Sequence, residues 1–137
     1  MKRLIQTIIG TIAACTAMAY AGGEKVFVAE DTQTGTTNSA TAQMYGYLDT
    51  VRIDVPAGGY TGTVTVASPV ETLFLSTNVT ADAIYRPRVN ICNSTGAVQT
   101  AIWDAVDLYG TVTVTVITTA SATTNDVTVY VGTTDTK

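Results

Sequence analysis

The chain has 137 residues, enough for one domain that buries roughly two-thirds of its unfolded surface and too few for two ordinary ones. Charged residues make up only 13% with a net charge of −4, so no basic patch is available to neutralise phosphates, which argues against nucleic-acid binding. There is no histidine, which removes Ser-His-Asp and Cys-His arrangements and any imidazole ligand or proton carrier near neutral pH.

The N-terminus reads as a separate object. Met1-Lys2-Arg3 precedes an uncharged run with Ile5, Ile8, Ile9 and Ile12, then Ala19-Tyr20-Ala21 before Gly22-Gly23. A basic start, a short apolar centre and an A-x-A end describe a secretory signal with cleavage after Ala21. Two alternatives stay open. Ile12-Ala13-Ala14-Cys15 resembles a lipobox in which Cys15 is acylated, and the run of about 20 residues could instead be an uncleaved arm or membrane anchor. Cleavage after Ala21 leaves Cys92 as the single thiol, which excludes an intradomain disulfide and reads as a small packed side chain.

The expected layout is therefore a hydrophobic leader over 1–23, a flexible linker with a first strand over 24–44, and a β-domain over 45–137. Residues 25–30 (KVFVAE) alternate as a strand does, while 31–44 are polar and without period and read as a loop. Residues 45–55 resume the alternation, with Val51, Ile53 and Val55 facing in and Thr50, Arg52 and Asp54 facing out. Pro56-Ala57-Gly58-Gly59 ends that strand, and residues 60–67 are read as its antiparallel partner. Residues 71–76 (ETLFLS) are nearly all apolar, as in a strand covered on both faces. Residues 84–92 form a strand carrying Pro87, which marks an edge or a strand start, and Asn93-Ser94-Thr95-Gly96 reads as a tight turn. Residues 101–108 (AIWDAVDL) fit either a short helical turn or a loop pinned by Trp103. The last strands are 111–117 and 126–131.

Gly62-Thr63-Val64-Thr65-Val66 and Gly110-Thr111-Val112-Thr113-Val114 share a period of two, with valine on one face and β-branched threonine on the other. A one-sided sheet needs a second layer. The fold expected is an all-β, single antiparallel β-sandwich, jelly-roll or Ig-like, of about seven or eight short strands. The two segments are too short to argue duplication, and no repeat of about 20–50 residues accompanies them.

Little of the chain points to chemistry. A carboxylate pair for glycoside cleavage would come from Asp49, Asp54, Glu71, Asp82, Asp104 or Asp107, but spacing marks none of them. Asp104 and Asp107 beside Trp103 fit a sugar-binding platform or, more simply, a solvated turn with a packed tryptophan. The calcium pattern D-x-D-x-D-G is absent, and no metal or other cofactor is implied. Asn78-Val79-Thr80 and Asn93-Ser94-Thr95 match the glycosylation sequon, a match that arises by chance in a threonine-rich chain and matters only if the host glycosylates. Arg86 and Arg88, two residues apart, would share one strand face; they suit either an intradomain ion pair or a bidentate intersubunit contact.

Residues 71–89 (ETLFLSTNVTADAIYRPRV) carry an E-T-L strand, a T-x-V-T-A-D-A link and a Y-x-P-R strand, followed by a turn, a GTVTV strand and a Thr/Gly-rich end. Over about residues 45–131 this resembles small tailed-phage virion accessory proteins of the capsid-decoration kind. The resemblance implies a structural, non-catalytic component present in many copies, partnered by a major capsid protein or by copies of itself and located in the virion. The leader departs from that pattern, since phage heads assemble in the cytoplasm. The alternative is an exported bacterial β-sandwich forming a filament or an adhesive cell-surface module. Membrane contact is expected only through the N-terminal segment.

Overall fold

The computed structural model describes residues 23–92, 98–121 and 125–135. The leader with Cys15 and Ala21, and the turn expected at 93–96, lie outside the described residues. Among those described there is no helix. Nine strands occur: β1 (Gly23–Thr32), β2 (Thr37–Asp54), β3 (Thr61–Ala67), β4 (Thr72–Val79), β5 (Ala83–Tyr85), β6 (Val89–Cys92), β7 (Val98–Asp104), β8 (Val106–Ala120) and β9 (Asn125–Thr134). Seven of them make one open antiparallel sheet in the order β1-β9-β2-β8-β3-β4, with β5 also on β2, while β6 and β7 form a separate ribbon. The protein is all-β and antiparallel with a β-sandwich-like architecture, as the alternation requires.

One long strand makes two layers from one sheet. The first part of β2 pairs with β8 from Thr37↔Ile117 to Leu48↔Val106, and the last part pairs with β9 from Tyr47↔Thr134 to Asp54↔Thr128. Between Leu48 and Thr50 the register against β9 shifts, leaving Asp49 as an extra residue. A bulge of this kind bends the strand and moves the inward face from one parity to the other. Met44 and Leu48 are buried before it, and Val51 and Ile53 after it. Both halves thus present apolar side chains to the same interior. β1 and β2 do not pair with each other, so residues 33–36 connect opposite layers rather than close a hairpin, and β8 and β9 do not pair with each other either.

The valine faces meet in a single core. Val64 and Val66 of β3 sit opposite Val116 and Val114 of β8, and Val129 and Val131 of β9 sit opposite Ile53 and Val51. All eight are at most 3% exposed. Fully burying a valine stabilises the fold by roughly 1.5–3 kcal/mol, so this set carries much of the hydrophobic driving force. Phe27 and Ala29 of β1 complete it. On the open side Tyr85 of β5 reaches β4, where Ser76 Oγ donates to Tyr85 Oη at 3.0 Å and the Phe74 ring lies 5.0 Å away.

Several expectations are corrected. Residues 37–44 are strand, not loop: Ala40 and Ala42 face Val114 and Val112, where small side chains fit opposite larger ones. The first two strands therefore belong to the same sheet as the rest. Residues 60–67 do not pair with 45–55; β3 lies between β8 and β4. Residues 101–108 hold neither helix nor long loop, because β7 runs to Asp104 and β8 starts at Val106. The strand expected over 84–92 is broken at 86–88, since Pro87 lacks an N–H and biases the residue before it. β4 is not covered on both faces; it ends the sheet, with Leu75 57% exposed.

Gly46 has φ +104, and a Cβ there would lie 2.7 Å from the carbonyl oxygen of Thr134. Gly35, in the first connection, has φ +84 but open space around it. We expect Gly35→Ala to cost about 1 kcal/mol from backbone conformation alone. Gly46→Ala should cost about 3 kcal/mol, because conformation and a backbone clash add. Urea denaturation of both variants checks this, and equal losses would contradict a tight approach at Gly46.

The Tyr60 hydroxyl and the Thr118 hydroxyl are both sealed from water without a well-formed hydrogen bond. Burial pushes the Tyr60 phenol above its ordinary 10.0, and the neighbouring Thr118 hydroxyl opposes that shift. The folded state then keeps the Tyr60 proton where the unfolded chain has released it. The associated stability is present below pH 10.0 and lost as pH rises through the raised folded value. Tyr60→Phe should leave stability at pH 7 within about 1 kcal/mol of the parent, since the lost hydroxyl was poorly paired. It should also flatten the alkaline loss, as thermal melts between pH 8 and about 11 would show.

Candidate functional site

The outer face of the second layer, formed by the first part of β2 with β8, β3 and β4, is the most unusual surface of the molecule. Residues that point away from the core there are Thr37, Ser39, Thr41, Gln43 and Tyr45 on β2 and Tyr109, Thr111, Thr113, Thr115 and Ile117 on β8. β3 adds Thr63 and Thr65. Register places Ser39 beside Thr115, Gln43 beside Thr111 and Tyr45 beside Tyr109. The hydroxyls bond along these rows: Ser39 Oγ and Thr115 Oγ1 are 2.9 Å apart, and Gln43 Nε2 donates to Thr111 Oγ1 at 2.7 Å. None of these side chains is charged.

At one end of the face the hydroxyls give way to rings. Tyr45 and Tyr109 meet edge-to-face with centroids 5.4 Å apart and planes at 80°. Tyr109 is 92% exposed and Tyr45 41%. Each is followed by a glycine with φ +104, Gly46 and Gly110. Sequence reasoning did not single out this pair. The signal was present in the repeated Tyr-Gly dipeptide and in the outward parity beside buried Met44 and Leu108, but only the register brings the two rings together.

The outer face of the first layer differs in kind. Val26, Tyr130, Arg52 and Ile84 line up across four strands, and the Arg52 guanidinium carbon lies 3.6 Å from the Tyr130 ring centroid. Arg52 also pairs with Asp54 at 3.5 Å. This face is mixed in charge, whereas the outward residues named on the other are uncharged.

The residues singled out from sequence are dispersed. Arg86 and Arg88 sit in the irregular segment between β5 and β6 and so share no strand face. Arg88 is engaged within the chain: Nη2 lies 3.6 Å from Asp49 Oδ1, and Nη1 donates to the carbonyl oxygens of Leu48 at 3.4 Å and Pro87 at 2.8 Å. Arg86 is exposed. Of the candidate carboxylates, Asp82 accepts the Val55 N–H at 2.8 Å and Asp104 accepts the Ala105 N–H at 2.8 Å. Asp49 and Asp54 hold the two arginines just described. Trp103 is 59% exposed on β7 rather than packed in a turn. Among the described residues no group of three or more acidic or cysteine side chains is placed to hold a metal ion, and no helix is long and apolar enough to cross a membrane. Comparison of the chain with protein-family models, with curated proteins and with solved structures finds no match in any of the three.

The Arg88–Asp49 pair docks the start of the ribbon onto the bulge of β2, with both side chains 36% exposed. Water screens such a pair, so Asp49→Asn should cost no more than about 1 kcal/mol at low salt, and less as salt is raised. Denaturant melts at two ionic strengths measure this; a salt-independent loss would place the role of Asp49 in the bulge geometry instead.

Proposed function

We propose that the protein is a structural, non-catalytic virion accessory protein that joins a phage capsid in many copies, docking through a sheet edge onto a capsid protein or onto copies of itself. The observation that carries this reading is the edge strand β4. It runs for eight residues, TLFLSTNV, without a charge or a proline, and pairs only with β3 among the described residues. Soluble sheets ordinarily blunt such edges with charge, proline or a cover, because unpaired N–H and C=O groups recruit other strands. The opposite edge, β1, is protected in that way by Glu24, Lys25 and Glu30. β4 itself shifts register twice against β3, which leaves Phe74 to Ser76 as its regular stretch, and this uncharged stretch on one side only gives a directional site for strand addition. The resemblance of residues 71–89 to capsid-decoration proteins falls on this same strand and its continuation.

A second reading is an exported bacterial β-sandwich that assembles as a filament or adhesive surface through the same edge. It is favoured by Lys2-Arg3 and Ala19-Tyr20-Ala21 in the leader.

Purified particles separate the two. On the virion reading the protein co-sediments with capsids and its mass corresponds to an intact Met1 end; a mature form starting at Gly22 on cells or filaments would overturn it. Leu75→Lys places a charge on the exposed face of β4, and should change stability by no more than about 0.5 kcal/mol because the site is exposed. It should nevertheless abolish co-sedimentation, and retention of full occupancy would remove β4 as the docking edge.

A further inference from the structure

The Tyr45–Tyr109 pair is not used by docking through β4, since β8 and β3 lie between β2 and that edge. We propose that this pair, with the Gln43 amide and the Asp107 carboxylate beside it, binds a neutral polysaccharide or oligosaccharide.

Tyr109 stands 92% exposed on a strand whose neighbouring residue, Leu108, is 3% exposed, so the ring is carried on a rigid base. Tyr45 holds it edge-to-face, which orders the ring without covering it. An ordered ring in water offers a flat apolar face to the C–H side of a sugar ring, and little side-chain freedom is lost when a ligand settles there.

Polar groups flank the rings on both sides along the strands. The row before them holds Gln43 and Thr111, and the row after them Tyr47 and Asp107. Each row is about 6.8 Å from the ring row, two residues along a strand. The Gln43 amide is already fixed by its bond to Thr111 Oγ1, and its oxygen lies 4.0 Å from where a Cβ on Gly110 would be. A fixed amide and an exposed carboxylate on either side of a ring pair supply donors and acceptors within the span of one or two sugar rings.

Charge selects among ligands. From Thr37 to Tyr45 and from Thr111 to Ile117 the outward side chains are uncharged, and Asp107 is the one formal charge in the rows named. On a chain of net charge −4, that pattern disfavours a polyanion and gives a polycation nothing to pair with along the hydroxyl rows. A ligand rich in hydroxyls and free of charge matches a surface with the same character. A protein partner would be anchored by side chains in desolvated pockets, which a flat hydroxyl-lined face does not present.

The test is calorimetric titration of the full chain with three neutral probes: cellohexaose, maltohexaose and N-acetylchitohexaose. At least one should bind at or below about 10 mM, and Tyr109→Ala should weaken that binding about tenfold or more while leaving the thermal midpoint unchanged. Tyr109→Phe, which keeps the ring, should retain affinity within about threefold. Failure of all three probes to bind overturns the proposal, as does binding indifferent to Tyr109→Ala. Tighter binding of heparin at the same residues would also overturn it. So would sedimentation showing a dimer that Tyr109→Ala dissolves, since the face would then be an interface between copies. Particle association through β4 is read by a different variant, Leu75→Lys, so either proposal can fail without the other.

Discussion

The architecture depends on one strand serving two layers. β2 lends its first part to β8 and its last part to β9, and the passage between them must reverse which side chains face inward. Two local features make that possible: the extra residue at Asp49, and the absence of a side chain at Gly46, where the Thr134 carbonyl lies against the backbone. Without the parity change, Val51 and Ile53 would face water and the valines of β9 would have no apolar neighbours on β2. The sheet therefore needs no second, separately built partner; it folds over itself and supplies its own second layer.

That economy leaves two unlike outer faces. The first layer carries Arg52 stacked on Tyr130 with Asp54 alongside, a mixed surface whose charges are satisfied locally. The second carries hydroxyls that bond to each other across the strands and a pair of tyrosines at one end. The candidate carboxylates are spread around the molecule, and several of them cap backbone N–H groups or hold arginines. The features that set this molecule apart are thus a sheet edge and a sheet face.

Much of the fold was legible because a strand buried on one face writes its period directly into the chain. Val112, Val114 and Val116, Val64 and Val66, and Val51 and Ile53 are all inward in the structure, as their alternation implies. The segment 37–44 was not legible, because its inward residues Ala40 and Ala42 are small to fit against Val114 and Val112, and a strand of threonine and alanine lacks contrast. The pattern over 101–108 imitated a helical turn across what is the junction of two strands. Pairing was the harder matter. Residues 60–67 follow 45–55 closely, yet the layer crossing in β2 sends its last part to β9, and β3 finds β8 instead. The same reason hid the tyrosine pair: Tyr45 and Tyr109 are 64 residues apart (109 − 45), and only register makes them neighbours. Arg86 and Arg88 stood out because charge is scarce, but Pro87 takes them out of the strand and Asp49 takes up Arg88.

The place of β9 between β1 and β2 bears on how the chain reaches this structure. Gly23 and Thr133, hydrogen-bonded neighbours in the sheet, are 110 residues apart. During synthesis β1 emerges first and has no strand to join until nearly all of the described chain has been made. Pairing at such separations closes large loops before any contact repays the entropy, which slows folding. The pairings of β8 with β2 and β3, and of β3 with β4, need no part of β9 and are meanwhile complete in sequence. A nascent chain of this kind gains from a late, concerted closure in which β9 is inserted last, locking β1 and the last part of β2 together in one step.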